Sequence, residues 1–323
     1  MILDDYQDIA LSMADWGSLP EVETSAVPDH LEGEALVAAL DGAQIVVAMR
    51  ERTPFPAALV DRLPDLRLLV TTGLRNAAID LDAAAARGVT VCGTESSPTP
   101  PAELTWALIH GLTRHLVTEA VGLRRAERWQ QTVGVDLEGA RLGLIGVGRI
   151  GTRVAAVGRA FGMDVVGWSP HLSAERAAAA GVRLVDKDEL MATSDVVSLH
   201  LVLSDSTRGI VGADDLALMK HTAYLVNTAR AGLVDTDALV DALEQSRIAG
   251  AGLDVYDVEP LPDDHVLRRL PNVLGTPHLG YVSEANYRRF FGQAVEDIAA
   301  WRAGRPLRVL AAPRGEESAG RRG

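Results

Sequence analysis

The sequence predicts an α/β protein built on parallel sheets and divided into two domains. From residue 40 onward, short β-rich runs alternate with longer segments rich in Ala and Leu, the pattern of repeated βα units around a parallel sheet. Most of the short runs are apolar throughout, as expected of strands covered on both faces. The length of 323 residues exceeds a usual domain of roughly 100–200, so two domains are expected.

Eight segments have the composition of strands. They are Gln44–Ala48, Leu66–Thr71, Arg141–Ile145, Asp164–Trp168, Asp195–Leu201, Ala223–Asn227, Gly250–Asp254 and Asn272–Gly275. Past Tyr281 the pattern is helical through Trp301. The tail 314–323 is polar and Gly-rich, and it is expected to be disordered.

A long helix is expected between the two domains. The Pro-rich stretch 97–101 interrupts regular structure, and Pro101 suits the first position of the helix that follows. Apolar residues then recur at helical spacing from about Ala102 to Arg125. We interpret this helix as a connector, and the neighbourhood of Trp106 and Leu108, expected to be exposed, as a surface for a dimer.

Composition and charge exclude several classes of protein. The 31 Lys and Arg against 44 Asp and Glu give 31 − 44 = −13, a charge that repels nucleic acid and anionic lipid. The chain has a single cysteine, Cys92, so no disulfide forms within it. Cys92 lies in an apolar run and is expected to be buried. No signal-peptide pattern and no apolar run of about 18 residues is found, so a cytoplasmic protein without a membrane span is expected. No metal site is predicted.

A glycine-rich loop predicts a dinucleotide site. Gly146, Gly148 and Gly151 lie directly after a predicted strand and directly before a predicted helix. In that context the first glycine permits a tight turn and the second lets the backbone approach a pyrophosphate. The third allows close packing of helix on strand, and the N–H groups of the helix start face the anion.

The next strand does not decide which dinucleotide is bound. An Asp or Glu at its end usually accepts hydrogen bonds from the adenosine ribose, but here the strand ends in Trp168-Ser169-Pro170-His171. Ser169 can bond a ribose hydroxyl and does not repel a 2′-phosphate, so NAD and NADP are both admissible. The same residues also suit a turn that simply tolerates Ser-Pro.

Three later loops hold groups suited to hydride transfer. Arg230, Glu259 and His278 each follow a predicted strand, and the carboxyl ends of parallel strands meet at one sheet edge, where such folds bind ligands. The planar guanidinium of Arg230 suits a carboxylate. Imidazole is the side chain best suited to move protons in catalysis, so His278 would be the proton donor for a new alkoxide and Glu259 would orient it. Taken alone, each is more often a surface or loop residue.

These segments together closely resemble the D-isomer-specific 2-hydroxyacid dehydrogenases, a family that includes glycerate, phosphoglycerate and D-lactate dehydrogenases and hydroxypyruvate reductases. The resemblance covers nearly the whole chain and implies hydride transfer between NAD(P)H and a small 2-keto or 2-hydroxy acid. It implies that Arg230 binds the substrate carboxylate and carbonyl, that His278 is the acid/base and that Glu259 supports it. The cofactor positions are then Gly146, Gly148, Arg149, Ile150, Gly151, Ser169, His200, Thr228, Asp254 and Gly280.

The same resemblance implies an architecture. Two Rossmann-like doubly wound domains are expected, with a dinucleotide-binding domain at 101–282 inserted into a discontinuous substrate domain at 1–100 plus 283–313. A homodimer is also expected. The loop containing Gly73, Leu74 and Arg75 resembles the one whose backbone N–H groups receive the substrate carboxylate.

Three departures from the family pattern and two alternatives stay open. Arg75 stands where a small residue is usual, and it either adds charge for a dianionic substrate or points outward. Ser169 replaces the usual acid, and the hinge 95–101 is unusually rich in proline. A dinucleotide-sensing corepressor is the alternative from another class. Formate oxidation is disfavoured because that branch pairs its histidine with glutamine, whereas phosphite oxidation stays open.

Overall fold

The structure of the protein, a computed structural model, describes residues 1–313, and strands alternate with helices along most of that length. The strands are β1 (Ile45–Ala48), β2 (Leu68–Thr71), β3 (Thr90–Gly93), β4 (Arg141–Ile145), β5 (Asp164–Trp168), β6 (Arg183–Leu184), β7 (Val196–Leu199), β8 (Tyr224–Asn227), β9 (Gly250–Leu253), β10 (Val273–Gly275) and β11 (Val309–Ala311). The helices are α1 (Gly33–Ala39), α2 (Ala57–Val60), α3 (Leu81–Ala86), α4 (Thr99–Thr113), α5 (Leu116–Arg124), α6 (Arg149–Ala160), α7 (Ala174–Ala179), α8 (Lys187–Thr193), α9 (Ala213–Leu218), α10 (Thr236–Glu244) and α11 (Glu284–Arg302).

The chain divides into two compact units. Unit 1 comprises residues 1–97 together with the described residues from 283 onward. Its sheet has the order β1-β2-β3-β11, in which the first three strands are parallel and β11 runs antiparallel to β3. The nineteen-residue helix α11 belongs to this unit and buries Tyr287, Phe290 and Phe291.

Unit 2 comprises residues 98–282 and contains a seven-stranded parallel sheet of order β10-β9-β8-β7-β4-β5-β6. The chain runs outward from β4 through β5 to β6, then crosses to the other side of β4 to add β7. The strand order therefore reverses between β4 and β7, and a crevice forms beyond the carboxyl ends of the strands at such a point. Strands β7, β8 and β9 are buried along their whole length, as expected of strands with helices on both faces.

The predicted α/β fold class is confirmed, and all eight predicted strands are present with bounds that differ by at most two residues at either end. Three strands were not predicted, namely β3, β6 and β11. The run of β3 was recognised only as apolar, β6 has two residues, and β11 is an edge strand with only partly buried side chains.

The single helix expected from Ala102 to Arg125 is wrong. Two helices occupy that region, α4 and α5, and His115 between them has a left-handed backbone with φ 50°. A helix cannot continue through that conformation, so α5 starts in a new direction. Pro100 and Pro101 lie within the first turn of α4, where their missing N–H groups are not needed.

The expectation that Trp106 and Leu108 are exposed is also wrong. Both are buried inside unit 2, and the Trp106 ring packs on Phe161 with 5.2 Å between centroids. Leu108 meets the sheet at Gly252, where an added Cβ would lie 3.1 Å from the Leu108 Cβ. Neither residue is available to a second copy of the chain.

Three other expectations concern the cysteine, the membrane and the tail. Cys92 lies in β3 with no exposed surface, as expected. Among residues 1–313, none of the helices has the length and apolar character needed to cross a membrane. The tail expected to be disordered, 314–323, lies outside the described residues.

Candidate functional site

The glycine loop lies at the reversal point of the unit 2 sheet. Gly146 follows β4 directly with φ 106°, and its N–H donates to the Trp168 carbonyl at 2.8 Å. A Cβ on Gly146 would lie 2.7 Å from the backbone of His200, which follows β7. The loop therefore fits closely between the ends of three strands, and only glycine suits that position.

Gly148 and Gly151 meet different requirements. A Cβ on Gly151 would lie 2.1 Å from the Gly146 carbonyl oxygen, so this glycine permits helix α6 to pack on the loop. A Cβ on Gly148 would meet no protein atom within 4 Å, so the space in front of this residue is open. Arg149 and Ile150 begin α6, whose first backbone N–H groups face the same end. The loop is therefore a cradle that fits a pyrophosphate.

Ser169 and His200 lie beside this cradle. Ser169 is the first residue after β5, and the Trp168 bond to Gly146 holds that strand end against the loop. The His200 N–H donates to the Ile145 carbonyl at 2.8 Å, and its Nε2 lies 2.9 Å from the Ser198 hydroxyl. Burial lowers the pKa of His200 to about 4, so this ring stays neutral at physiological pH and is not suited to donate a proton.

Arg230 is held on a short loop after β8. The Asn227 side chain organises this loop, because its Nδ2 donates to the Arg230 carbonyl at 2.9 Å and its Oδ1 accepts from the Ala229 N–H at 3.0 Å. The Arg230 guanidinium is half-buried and donates to the Ala229 carbonyl at 2.7 Å. Thr228 is buried, with its hydroxyl 2.8 Å from that of Thr105 on α4. The backbone before Arg230 is thus tied to a helix.

Glu259 and His278 form a hydrogen-bonded pair. The imidazole Nδ1 donates to Glu259 Oε2 at 2.6 Å, and Glu259 Oε1 accepts from the Tyr256 N–H at 2.9 Å. The Tyr281 ring stacks edge-on against the imidazole at 5.2 Å. No hydrogen bond to His278 Nε2 is found within residues 1–313. One ring nitrogen is therefore fixed by a carboxylate, and the other is left to face a reactant.

Asp254 organises the loop that carries His278. The Asp254 side chain has no exposed surface, and it accepts hydrogen bonds from the Thr276 hydroxyl at 2.6 Å, the Leu279 N–H at 2.7 Å and the Gly280 N–H at 2.8 Å. Burial raises the pKa of Asp254, and these donors act against that shift. Asp254 and Gly280, both predicted as cofactor residues, are therefore in contact with each other, and their shared bond sets the position of His278.

Sequence reasoning missed Tyr256, which packs under the same loop. Its hydroxyl donates to the carbonyls of Leu253 and Thr276, each at 3.2 Å. Burial raises the pKa of Tyr256 to about 12, so the hydroxyl remains a donor across the physiological range. The sequence Asp254-Val-Tyr256 at a strand end is the signal that could have identified it, because a buried tyrosine needs a partner for its hydroxyl.

The predicted substrate loop belongs to unit 1. The N–H of Gly73, which has φ 126°, donates to the Thr94 hydroxyl at 3.2 Å. Among the described residues, the N–H groups of Leu74 and Arg75 have no protein acceptor, and both residues are exposed. Two adjacent N–H groups without partners suit a carboxylate.

Arg50 is a second residue that sequence reasoning missed. A Cβ on Gly73 would lie 2.3 Å from Arg50 Nη1, and that nitrogen donates to the Thr72 carbonyl at 3.3 Å. The Arg50 side chain is mostly buried, and the Asn76 amide donates to its backbone carbonyl at 2.6 Å. A guanidinium that is paired with Glu51, whose Oε2 lies 3.6 Å from its Nε, therefore lies against the substrate loop. The positive φ of 54° at Arg50 cannot be read from sequence.

Comparison with known proteins places the chain in a family. Residues 106–280 match the family model described as D-isomer specific 2-hydroxyacid dehydrogenase, NAD binding domain. The matched span contains the glycine loop, the Arg230 loop and the Glu259–His278 pair. The chain belongs to the D-isomer specific 2-hydroxyacid dehydrogenase family. The resemblance noted from the sequence is thereby confirmed.

Individual members of the family agree over most of the chain. The D-3-phosphoglycerate dehydrogenase of Methanocaldococcus jannaschii is 37% identical over 82% of this chain and 51% of its own length. The hydroxypyruvate reductase of Thermotoga maritima is 34% identical over 85% of this chain and 90% of its own length. A crystal structure of phosphoglycerate oxidoreductase from Vibrio cholerae has TM-score 0.90 and 38% identity, covering 94% of this chain and 98% of that one.

This chain spans about half the length of the first of these relatives and most of the second. The region predicted to bind a dinucleotide is the region that matches the family's NAD binding domain. The relatives bear the names of dehydrogenases and reductases, and the corepressor alternative is not supported.

Proposed function

We propose that this protein reduces a small 2-keto acid to the D-2-hydroxy acid with NADH or NADPH, reversibly. The observation that carries the proposal is the hydrogen bond of 2.6 Å between His278 Nδ1 and Glu259 on the unit that also holds the glycine loop. An imidazole whose one nitrogen is fixed by a carboxylate is a positioned proton donor and acceptor. Unit 2 is the proposed dinucleotide-binding domain, and unit 1 is the proposed substrate domain.

The dinucleotide would lie on the cradle of Gly146, Gly148 and Gly151, with the pyrophosphate at the N–H groups of α6. When bound, its reduced nicotinamide supplies the hydride that adds to the keto carbon. Asp254 and Gly280 are proposed to act near the nicotinamide through the loop that they hold, and Thr228 through the backbone that precedes Arg230.

The roles of the protein residues follow from their chemistry. As the resemblance to the family implies, the N–H groups of Leu74 and Arg75 receive the substrate carboxylate. The Arg230 guanidinium anchors the carboxylate and polarises the carbonyl, which lowers the cost of negative charge on its oxygen. The imidazolium of His278 then gives its Nε2 proton to that oxygen. Glu259 retains the Nδ1 hydrogen bond, so the ring becomes neutral without turning.

A direct assay tests the proposal. The purified protein is mixed with NADH or NADPH and with glyoxylate, hydroxypyruvate, pyruvate or phenylpyruvate, and the loss of reduced-cofactor absorbance is followed. At least one pairing is expected to turn over, and the product should be the D-isomer by chiral chromatography. A protein that binds cofactor but turns over none of these acids would contradict the dehydrogenase proposal.

We also propose that the protein is a homodimer, formed through the exposed apolar segment of residues 116–135. Trp129 is 80% exposed and Val133 is 90% exposed, values that are unusual for such large apolar side chains. The other exposed apolar residues of this segment are Leu116, Val117, Leu123 and Val135. A two-fold interface uses the same patch on both subunits, and an apolar patch can pack against its own copy.

A cytoplasmic location is proposed on the cysteine content. The chain contains one cysteine, which is buried and unpaired, so its stability does not depend on an oxidising compartment. Fractionation of cells that express the protein at natural levels tests this location.

A further inference from the structure

Near the end of β5 lies an arginine, Arg176, that the sequence did not associate with the dinucleotide site. Ser169 stands where an acid would bind the adenosine ribose of NAD, and the following four residues contain no arginine or lysine. The structure shows that the chain turns back immediately, because the Leu172 N–H donates to the Ser169 carbonyl at 3.2 Å. This turn returns the start of α7 towards the strand end.

Because of this turn, Arg176 on α7 contacts the loop that follows Ser169. Its Nη1 donates to the carbonyl of His171 at 3.2 Å, which holds the guanidinium beside the residues that follow Ser169. The side chain is exposed, and no acid among residues 1–313 lies within ion-pairing distance of it. One carbonyl uses one of the five N–H donors of arginine, so donors remain for a second acceptor.

The acid next to Arg176 in sequence is already engaged. Glu175 lies in the first turn of α7, where its own backbone N–H and the Ser173 hydroxyl lower the pKa of its carboxyl. Arg149, the first residue of α6, is a second exposed arginine without an ion pair in the described part of the chain, and it lies beside the glycine loop. In a chain of net charge −13, two unneutralised arginines thus flank a strand end that lacks the usual acid.

We infer that Arg176, supported by Arg149, binds the 2′-phosphate of NADP and that this protein prefers NADP to NAD. The inference rests on the proposed function, since it concerns the dinucleotide of that site. Ser169 offers a hydroxyl instead of a carboxylate, so a 2′-phosphate meets no like charge there. A guanidinium binds phosphate oxygens through charge-assisted hydrogen bonds, so Arg176 determines the choice of cofactor.

Calorimetric titration with adenosine nucleotides tests the inference without any turnover. The native protein is titrated with 2′,5′-ADP and with 5′-AMP, which differ only in the 2′-phosphate. The dissociation constant for 2′,5′-ADP is expected to be lower by roughly ten- to hundredfold, the range of one charge-assisted hydrogen bond. Arg176→Ala is expected to remove most of that preference and to leave 5′-AMP binding unchanged.

A second variant and a matched control complete the test. Ser169→Asp, which restores the missing acid, is expected to reverse the preference by repelling the 2′-phosphate. Arg269→Ala removes an exposed arginine near β10, at the opposite edge of the sheet, that forms no ion pair with residues 1–313, and it is expected to leave the preference intact. Its change of net charge equals that of Arg176→Ala, so it separates a local contact from a general electrostatic effect.

The possible failures are distinguishable. Equal affinities of the native protein for the two nucleotides, or an unchanged preference in Arg176→Ala, would overturn the inference while the dinucleotide site stands. Binding of neither nucleotide would overturn the proposed cofactor site and this inference with it. Titration with intact NAD and NADP should give the same order of affinity.

Discussion

Separate groups fix the ring of His278 and the backbone next to it. Glu259 accepts its Nδ1 hydrogen, Tyr281 stacks on its ring, and Asp254 holds the N–H groups of the two residues that follow it. The backbone of His278 itself has φ 53°, a left-handed conformation that costs a non-glycine residue roughly 1–3 kcal/mol. The surrounding bonds maintain this conformation, which fixes the direction of the ring.

We expect His278→Ala to lower kcat by roughly 10²- to 10⁴-fold, the contribution of a positioned acid/base. Cofactor affinity should stay nearly unchanged, because the bonds of Asp254 involve only backbone N–H groups and Thr276 and do not need the imidazole. Steady-state kinetics and nucleotide titration measure the two effects. His221→Ala, at an exposed histidine in the turn before β8, is the control and should leave both unchanged. Loss of cofactor binding in His278→Ala would mean that the residue is structural.

The residues with chemistry were easier to predict than the residues that position them. Arg230, Glu259 and His278, which are proposed to carry the chemistry, could be selected from the sequence because each follows a strand of a parallel sheet. The contact between Arg176 and His171 depends on a turn after β5, and the Arg50 contact at Gly73 depends on a positive φ. Local backbone geometry of this kind leaves no periodic signal.

At the scale of elements, substitutions in the glycine loop should separate effects on stability from effects on nucleotide binding. Gly148→Ala should leave the melting temperature unchanged, because the new Cβ meets no protein atom within 4 Å and φ −99° suits alanine. The same methyl group should weaken nucleotide binding strongly by occupying the proposed pyrophosphate position.

Gly151→Ala provides the contrast, since its Cβ would lie 2.1 Å from the Gly146 oxygen and should lower the melting temperature. Thermal unfolding and nucleotide titration of both variants check the pair of expectations. Equal loss of stability in Gly148→Ala would contradict the assignment of open space above the loop.

Helix α11 and strand β11 are joined by a buried ion pair that should respond to pH. Arg308, just before β11, donates to Asp297 Oδ1 on α11 at 3.1 Å, and it also pairs with Glu296 at 2.9 Å. Burial raises the pKa of Asp297 to about 6; Glu296 adds to that shift, and Arg308 opposes it. The folded protein therefore binds this proton more tightly than the unfolded chain does, in which the pKa is about 3.9.

The sign of the effect follows from that order of pKa values. As pH falls from 7 to 4.5, protonation of Asp297 should stabilise the folded state by roughly 2 kcal/mol. Asp297→Asn removes this titrating group. The difference in unfolding free energy, native protein minus variant, should therefore rise by roughly 2 kcal/mol as the pH falls from 7 to 4.5. Urea unfolding at several pH values measures it. A difference independent of pH would contradict the raised pKa.

At the scale of the whole molecule, the proposed dimer is tested by substitutions in the segment 116–135. Trp129→Glu combined with Val133→Glu should yield a monomer, because two charges would lie in the proposed interface without partners. The exposure of both side chains predicts little change in the stability of each chain. Light scattering gives the mass. A double substitution at two exposed residues elsewhere, Leu184→Glu with Leu218→Glu, is the control and should leave the mass unchanged.

The fold of the whole chain was predictable because local patterns repeat. The strand runs of unit 2 alternate with helices in the order that a parallel sheet requires, and the strand bounds differ little from the prediction. The break between α4 and α5 was not predictable, since the apolar spacing runs through it while His115 turns the chain. The burial of Trp106 was not predictable either, since the apolar spacing alone does not show which face of the helix the sheet covers.

The position of Cys92 gives the molecule an internal reporter of its own opening. It is the only thiol in the chain, it lies in the middle of the unit 1 sheet, and burial raises its pKa to about 12. An alkylating reagent attacks the thiolate, so native protein should react only during excursions in which β3 separates from its neighbours. The labelling rate at Cys92 therefore measures the local opening of unit 1, while the seven-stranded sheet of unit 2 contributes no thiol to the signal.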